Sequence, residues 1–317
     1  MKRALLAGID TYDSFDTLAG CVSDVCALLP LLARNEDGSP NFDCRRITSN
    51  TTRVERRLLL QACDELLASG ADVALLYFAG HGDQAVNDVI LVTQDGAMND
   101  PGVPLSSILG KVQASAVREV VVILDCCFAG GGGGVPQLGA SIAALREGVT
   151  LLLASRADQP AAETGVGRGL FSFYLCGALD GGAADVVGKV TLAGVYAYLS
   201  ESFGPWDQRP MFKANVDRLH ELRRCSPAVP INELRRLSEF FPDYDHEFRL
   251  DPSYEPDAEP ADAEHEAVFA ILQRCRAAKL VEPIGADHMY FAAVHSKACR
   301  LTPLGKHYLG MAKQGRL

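Results

Sequence analysis

Residues 73–82 read Val-Ala-Leu-Leu-Tyr-Phe-Ala-Gly-His-Gly, and residues 120–130 read Val-Val-Val-Ile-Leu-Asp-Cys-Cys-Phe-Ala-Gly. Each is a continuous apolar run of strand length that ends in glycine beside a chemically reactive side chain. A strand apolar on both faces must be covered on both faces, which is the condition of a parallel sheet between helical layers. In open parallel sheets, reactive groups gather at the carboxyl ends of strands, where the chain turns and backbone N–H groups are free. His81 and Cys127 therefore both fall on the functional edge of one sheet.

Working outward, further short apolar runs at Ala4–Ile9, Arg45–Thr48, Asp72–Ala79, Val89–Val92, Glu119–Asp125 and Val149–Ala154 alternate with helix-period segments. Thr17–Arg34 and Thr51–Ser69 read as helices, the second with Val54, Leu58, Ala62 and Leu66 along one stripe and Thr51 or Thr52 as N-cap. Phe171–Leu179 and Thr191–Phe203 read likewise. The pattern predicts an α/β domain over 1–217, a three-layer α/β/α sandwich on a mostly parallel sheet. After Pro227 the composition shifts. Helix patterns at Ile231–Phe241 and Glu264–Leu280, two short β-like runs and a helix over Pro303–Lys313 predict a small α+β, winged-helix-like domain over 218–317. Its 251–266 stretch is rich in Asp, Glu and Pro and reads as an acidic linker or loop.

The chain has 317 residues, enough for one larger and one smaller domain, and its 48% hydrophobic and 22% charged content is that of a folded protein. Thirty Lys and Arg against forty Asp and Glu give a formal net charge of -10, which disfavours a broad grip on nucleic acid or an anionic membrane. The start lacks a signal-peptide core, and no run is long enough to span a bilayer. The expectation is a cytoplasmic protein with no membrane contact and ten reduced cysteines. No C-x-x-C pair or Cys/His cluster occurs, so no structural zinc site is expected.

A histidine and a cysteine at neighbouring strand ends can form a nucleophilic dyad. The thiolate attacks a carbonyl carbon and the imidazole protonates the departing amine. Glycines beside them open the approach and free backbone amides for the oxyanion. Cys127 follows His81 by 46 residues, close to the caspase spacing of roughly 50. Beyond this spacing, the chain resembles the caspase-like cysteine peptidases, in particular the metacaspases and their bacterial relatives. The resemblance spans Arg3–Val216 and is carried by blocks in order: Ala-Gly-Ile-Asp-Thr-Tyr at Ala7, Leu-Ala-Gly-Cys-Val-Ser-Asp-Val at Leu18, Tyr-Phe-Ala-Gly-His-Gly at Tyr77, Asp-Cys-Cys-Phe-Ala-Gly at Asp125, Ala-Ser-Arg-Ala-Asp-Gln-Pro-Ala-Ala-Glu at Ala154 and Gly-Leu-Phe-Ser at Gly169.

The resemblance implies a caspase-like fold and a cysteine endopeptidase with His81 as acid and base, Cys127 as nucleophile, and an oxyanion hole from the backbone amides of Gly82 and Cys127. Cys126 fills a place where relatives carry Ser or Cys. Phe128-Ala129 stands where family members commonly have His-Ser. The acidic substrate pocket of metacaspases maps to Cys21, Asp24 and Asp125, with Asp158 and Glu163 as further candidates, and implies protein substrates cut after Arg or, less readily, Lys. Some metacaspases bind calcium. Asp83, Asp88, Asp95 and Asp100 are the carboxylates on hand, but they lack the alternation of a dedicated calcium loop, and no cofactor is expected. Relatives are often switched by cleavage after the nucleophile, for which Arg146, Arg156 and Arg168 are candidates, by an upstream sensor or activating protease. The Ala-, Gly- and Arg-rich composition points to a bacterial source, and the resemblance to a role in antiviral defence or programmed cell death, sometimes beside CRISPR systems. Two other readings stay open: a catalytically silent caspase-like adaptor, and a DNA-binding regulator acting through Leu234-Arg235-Arg236, Lys297, Arg300 and Lys306 of the terminal module. The acidic linker favours protein docking over nucleic acid for that module.

Overall fold

A computed structural model describes residues 1–85, 88–128, 145–154, 163–164, 168–204, 210–217, 219–257 and 262–317, with 127, 128, 163, 164 and 168 as backbone. The chain divides into two units: Met1–Ala184 with Lys189–Cys225, and Ser226–Leu317 with Asp185–Gly188.

The first unit is built on strands β1 (Lys2–Gly8), β2 (Phe42–Thr48), β3 (Val73–Ala85), β4 (Asp88–Ala97), β5 (Asp100–Pro104), β6 (Glu119–Phe128) and β7 (Val149–Leu153). Two short strands, β8 (Glu163–Thr164) and β9 (Arg168–Gly169), form a separate pair, and β10 (Lys189–Thr191) pairs elsewhere. Strand β11 (Met211–Asn215) closes one edge of the main sheet. The order is β11-β7-β6-β3-β1-β2, with β4 on β3 and β5 on β4. Pairings of β2, β1, β3, β6 and β7 are parallel, whereas β4, β5 and β11 join antiparallel.

The apolar runs divide by period two between the two faces. Leu5 and Ala7 of β1, Ala74, Leu76 and Phe78 of β3, and Val120, Val122 and Leu124 of β6 share one core with helices α2 (Arg56–Leu66) and α3 (Leu105–Ala114). Ala4, Leu6, Val73, Leu75, Tyr77, Val121 and Ile123 face the other core, under α1 (Cys21–Ala33), α4 (Leu170–Gly177) and α5 (Leu192–Ser202). This is the three-layer α/β/α sandwich expected for a caspase-like chain, and each fully buried Leu or Ile in it contributes about 2 kcal/mol.

Helix starts differ from the sequence reading. Thr51 and Thr52 do not cap α2: they lie in a turn closed by their N–H groups on Thr48 O, and Thr51 Oγ1 sits 2.9 Å from Thr48 Oγ1. Gln94 Oε1 then takes the Val54 N–H at 2.7 Å. The helix begins five residues late, and its buried face is Leu59, Ala62, Cys63 and Leu66, without Val54 or Leu58. Helix α1 likewise starts at Cys21, not Thr17. Strand β5 and helix α3 had no sequence expectation at all.

The second unit has its own core, in which Phe241, Phe269, Leu272, Cys275, Val281, Ala292 and Cys299 are buried. Its main helix, Ala263–Ala277, is capped by Asp262, which accepts from Glu264 N and His265 N, with acids in its first turn and Arg274 and Arg276 in its last. The strands Val281–Ile284 and Ala298–Leu301 pair antiparallel, with a short helix, Met289–Val294, between them, and Glu247–Arg249 adds a third strand. Helix Pro303–Lys313 follows Thr302 as N-cap. The acidic 251–266 stretch is not a solvated tether at its start: Pro252–Tyr254 form a 3-10 turn, Tyr254 is buried, and its ring stacks on His265 at 4.1 Å. Among the described residues, no helix is long and apolar enough to cross a membrane.

Candidate active site

Chain order runs β1 to β2 on one side and then β3 to β6 on the other, so the order in which strands are added reverses between β1 and β3. The carboxyl ends of strands beside such a switch point are the usual place for a ligand in an open parallel sheet. Strand β3 carries His81 at this edge, and the parallel register pairs His81 with Cys127 and Gly82 with Phe128 of β6. Adjacent strands lie roughly 4.8 Å apart, so the two backbones meet at the same level.

The loop leaving β1 holds the imidazole. Nε2 of His81 lies 2.8 Å from the Asp16 carbonyl oxygen. A carbonyl only accepts, so Nε2 carries the proton and the neutral ring presents Nδ1 as its base. Tyr12 fixes the backbone behind it: its hydroxyl donates to Ile9 O at 3.0 Å and accepts from His81 N at 2.8 Å, while its ring centroid is 4.8 Å from the imidazole. Burial pushes the Tyr12 hydroxyl well above the ordinary tyrosine range, so it stays protonated. Gly80 is required beneath it, since a Cβ there would lie 2.7 Å from the Tyr12 oxygen.

Helix α1 supplies the other half of the site. Its N-cap, Gly20, has no side chain to close the first turn, and Asp10 does so from the loop after β1, accepting from Cys21 N at 2.8 Å and from Val22 N. This seats Cys21 and Asp24 beside Asp125 of β6. Asp24 is 2% exposed, and its Oδ2 accepts the Gly169 N–H at 3.1 Å. A Cβ on Gly169 would meet Asp24 Oδ2 at 3.1 Å and Asp125 Oδ2 at 3.3 Å, so both carboxylates abut this one glycine. Burial, and then the charge of Asp24, raise the Asp125 carboxyl to about 7, against the pull of the Ser172 and Tyr77 hydroxyls behind it. Burial together with Asp10, Asp125 and Asp24 drives the Cys21 thiol far above its usual value. It is a neutral wall residue, not a nucleophile.

The structure thus gathers Cys21, Asp24 and Asp125 at one place, beside the strand ends bearing His81 and Cys127. Asp158 and Arg156 lie outside the described residues, as does the poly-glycine run. Glu163 enters by its backbone, paired with Gly169 across β8 and β9, and Arg168 pairs with Thr164. Arg146 is not a free processing site. Its guanidinium donates to Val112 O at 3.1 Å, Val117 O at 2.6 Å and Glu147 O at 2.9 Å, which ties the end of α3 to the start of β6. The four calcium candidates are spent separately. Asp88 accepts from Ser106 N at the start of α3, Asp95 from Arg56 N at the start of α2, Asp100 pairs with Arg56, and Asp83 bonds the adjacent Gln84 N–H. Among the described residues, no three His, Cys, Asp or Glu side chains gather as metal ligands would.

Sequence reasoning had not singled out Tyr12, Asp16, Asp10, Tyr77, Ser172 or Gly169 as site residues. The blocks at Ala7, Tyr77 and Gly169 contain most of them, and that clustering was the available signal. Asp16 acts through its main-chain oxygen and leaves no signature in residue type.

The chain resembles the crystal structure of protein GSU0716 from Geobacter sulfurreducens, with a TM-score of 0.50 at 16% identity, over 68% of this chain and 94% of that one; this likeness is one of fold. No curated protein sequence matches it. Residues 1–218 match the family model of the caspase domain, Peptidase C14, and on a match covering more than two thirds of its length the chain belongs to the caspase-domain family of cysteine peptidases.

Proposed function

We propose that this chain is an endopeptidase that cuts proteins after Arg, and less readily after Lys, through a thioester on Cys127. The observation that carries the reading is the pairing of His81 with Cys127 across β3 and β6, next to two carboxylates packed against Gly169. The substrate guanidinium enters beside Asp24 and Asp125, where a planar fork of donors meets two acceptors; an ammonium makes fewer of these bonds. His81 Nδ1 takes the Cys127 thiol proton, and the thiolate attacks the carbonyl carbon. The backbone N–H groups of Gly82 and Cys127 hold the oxyanion that forms. The imidazolium then gives its proton to the departing amine, leaving the acyl group on sulfur. Water, deprotonated by the same imidazole, attacks the thioester and frees the new carboxylate and the thiol. Asp16 O holds the ring through Nε2–H during both transfers, favouring the imidazolium as it appears.

The family resemblance supports a place for this cleavage in bacterial antiviral defence or programmed cell death, under an upstream sensor. The terminal module is read as a protein-docking element. Arg236, Arg300 and Lys306, which would have served nucleic acid, pair with Glu239, Glu282 and Asp245. Fluorogenic peptides ending in Arg, Lys or Asp test the activity. Turnover is expected with Arg over Lys, none with Asp, and none by Cys127→Ala. Equal turnover by that variant, or a preference for Asp, would remove the reading, and a folded wild type inert with every peptide would favour the silent adaptor.

A further inference from the structure

Behind Asp125 stand two hydroxyls that the peptide-cleaving steps do not use. Ser172 of α4 donates to Asp125 Oδ2, and the Tyr77 hydroxyl of β3 lies 2.6 Å from Ser172 Oγ. With the Ser172 proton committed to the carboxylate, Tyr77 is the donor of the second bond, so the series runs Tyr77 to Ser172 to Asp125. Tyr77 is 0% and Ser172 1% exposed, so water does not compete for either bond. Donors in series polarise one another and favour the charged form of the acceptor. The other groups facing Asp125 work against that form. Asp24 of α1 repels it, and Cys21 of α1 offers only a neutral thiol. Gly169 of β9, which spends its N–H on Asp24, gives it none.

We propose that Ser172 and Tyr77 are specificity-determining positioning residues, whose hydroxyl series keeps Asp125 ionised beside Asp24 so that the pair presents two negative charges to a guanidinium. The inference deepens the Arg-directed reading above and rests on it. Burial and Asp24 already bring the Asp125 carboxyl to about 7, and the two hydroxyls restrain it. Loss of one donor therefore tips the pair toward a single charge in the neutral range. A protonated Asp125 also turns a donor toward the incoming fork, which has only donors to offer.

The test is calorimetric binding of agmatine, a guanidinium on an apolar stem, to full-length Cys127→Ala protein from about pH 5 to about pH 9, with Ser172→Ala and Tyr77→Phe added to that background. Affinity is expected to rise with pH through a midpoint near that of Asp125, with a proton released on binding. Ser172→Ala is expected to move the midpoint up by about one unit, roughly five-fold weaker binding at pH 7 and little change at the alkaline end. Tyr77→Phe should shift it less, in the same direction. A midpoint unchanged in both variants while agmatine still binds overturns the inference and leaves the Arg reading standing. A loss equal at every pH marks a merely structural role and also overturns it. No agmatine binding to the parent at any pH removes the Arg reading and the inference with it.

Discussion

Gly169 packs against both carboxylates of the proposed Arg-binding pair. Its φ of -65° suits any residue, so Gly169→Ala tests space alone. The added methyl would stand 3.1 and 3.3 Å from the two carboxylate oxygens. Cleavage of Arg peptides should fall by at least about ten-fold, mostly in KM, with the melting temperature nearly unchanged. Tyr12→Phe leaves the ring on His81 and removes the acceptor for its N–H. It should lower kcat by about ten-fold with little change in KM, which steady-state kinetics would separate. Asp125 also carries a stability cost. Its carboxyl titrates at about 7 in the folded chain, against an ordinary value of 3.8. Between those values the unfolded chain has released the proton and the folded chain still holds it, so this group weakens folding as pH rises through that window. Asp125→Asn should raise stability at pH 8 by on the order of 2–3 kcal/mol and by little near pH 4, read from denaturant midpoints at the two pH values.

At the scale of elements, several helices are started from a distance. Asp10 closes the first turn of α1, Asp95 that of α2, and Asp88 that of α3. This explains which parts of the fold were legible. Strands β1, β3, β6 and β7 show as apolar runs because burial on both faces is written into consecutive residues. Helix starts do not show, because the capping carboxylate comes from a strand or loop outside the helix and the local Thr51 is diverted into a turn. The same non-locality hid the roles of Tyr12 and Asp16 on His81 and of Ser172 on Asp125. Asp24 and Asp125, 101 positions apart in the chain, became neighbours on paper only through the family resemblance. An arginine such as Arg146, which donates to three backbone carbonyls and to Ser115 Oγ, looks in sequence like any exposed one. Arg146→Ala should destabilise the chain by about 1–3 kcal/mol, seen as a lower melting temperature. Fragment sequencing of aged wild type should find no new terminus at Glu147; such a terminus would refute the buttress role.

For the whole molecule, the peptidase unit has cores on both faces of its sheet, and the Ser226–Leu317 unit has its own. With a formal charge of -10, and with Arg236, Arg300 and Lys306 paired to acids, the chain should pass through immobilised duplex DNA at low salt. Salt-reversible retention would revive the DNA-binding reading.

In the proposed mechanism Cys127, and no other thiol, is the nucleophile beside an Arg-directed carboxylate pair. The most direct measurement of this is intact mass and peptide mapping after treatment with a peptidyl-arginine fluoromethyl ketone. One adduct is expected, on Cys127, abolished by His81→Ala and not formed by the aspartyl analogue. A label on the exposed Cys26 instead, or equal labelling by the aspartyl reagent, would contradict it.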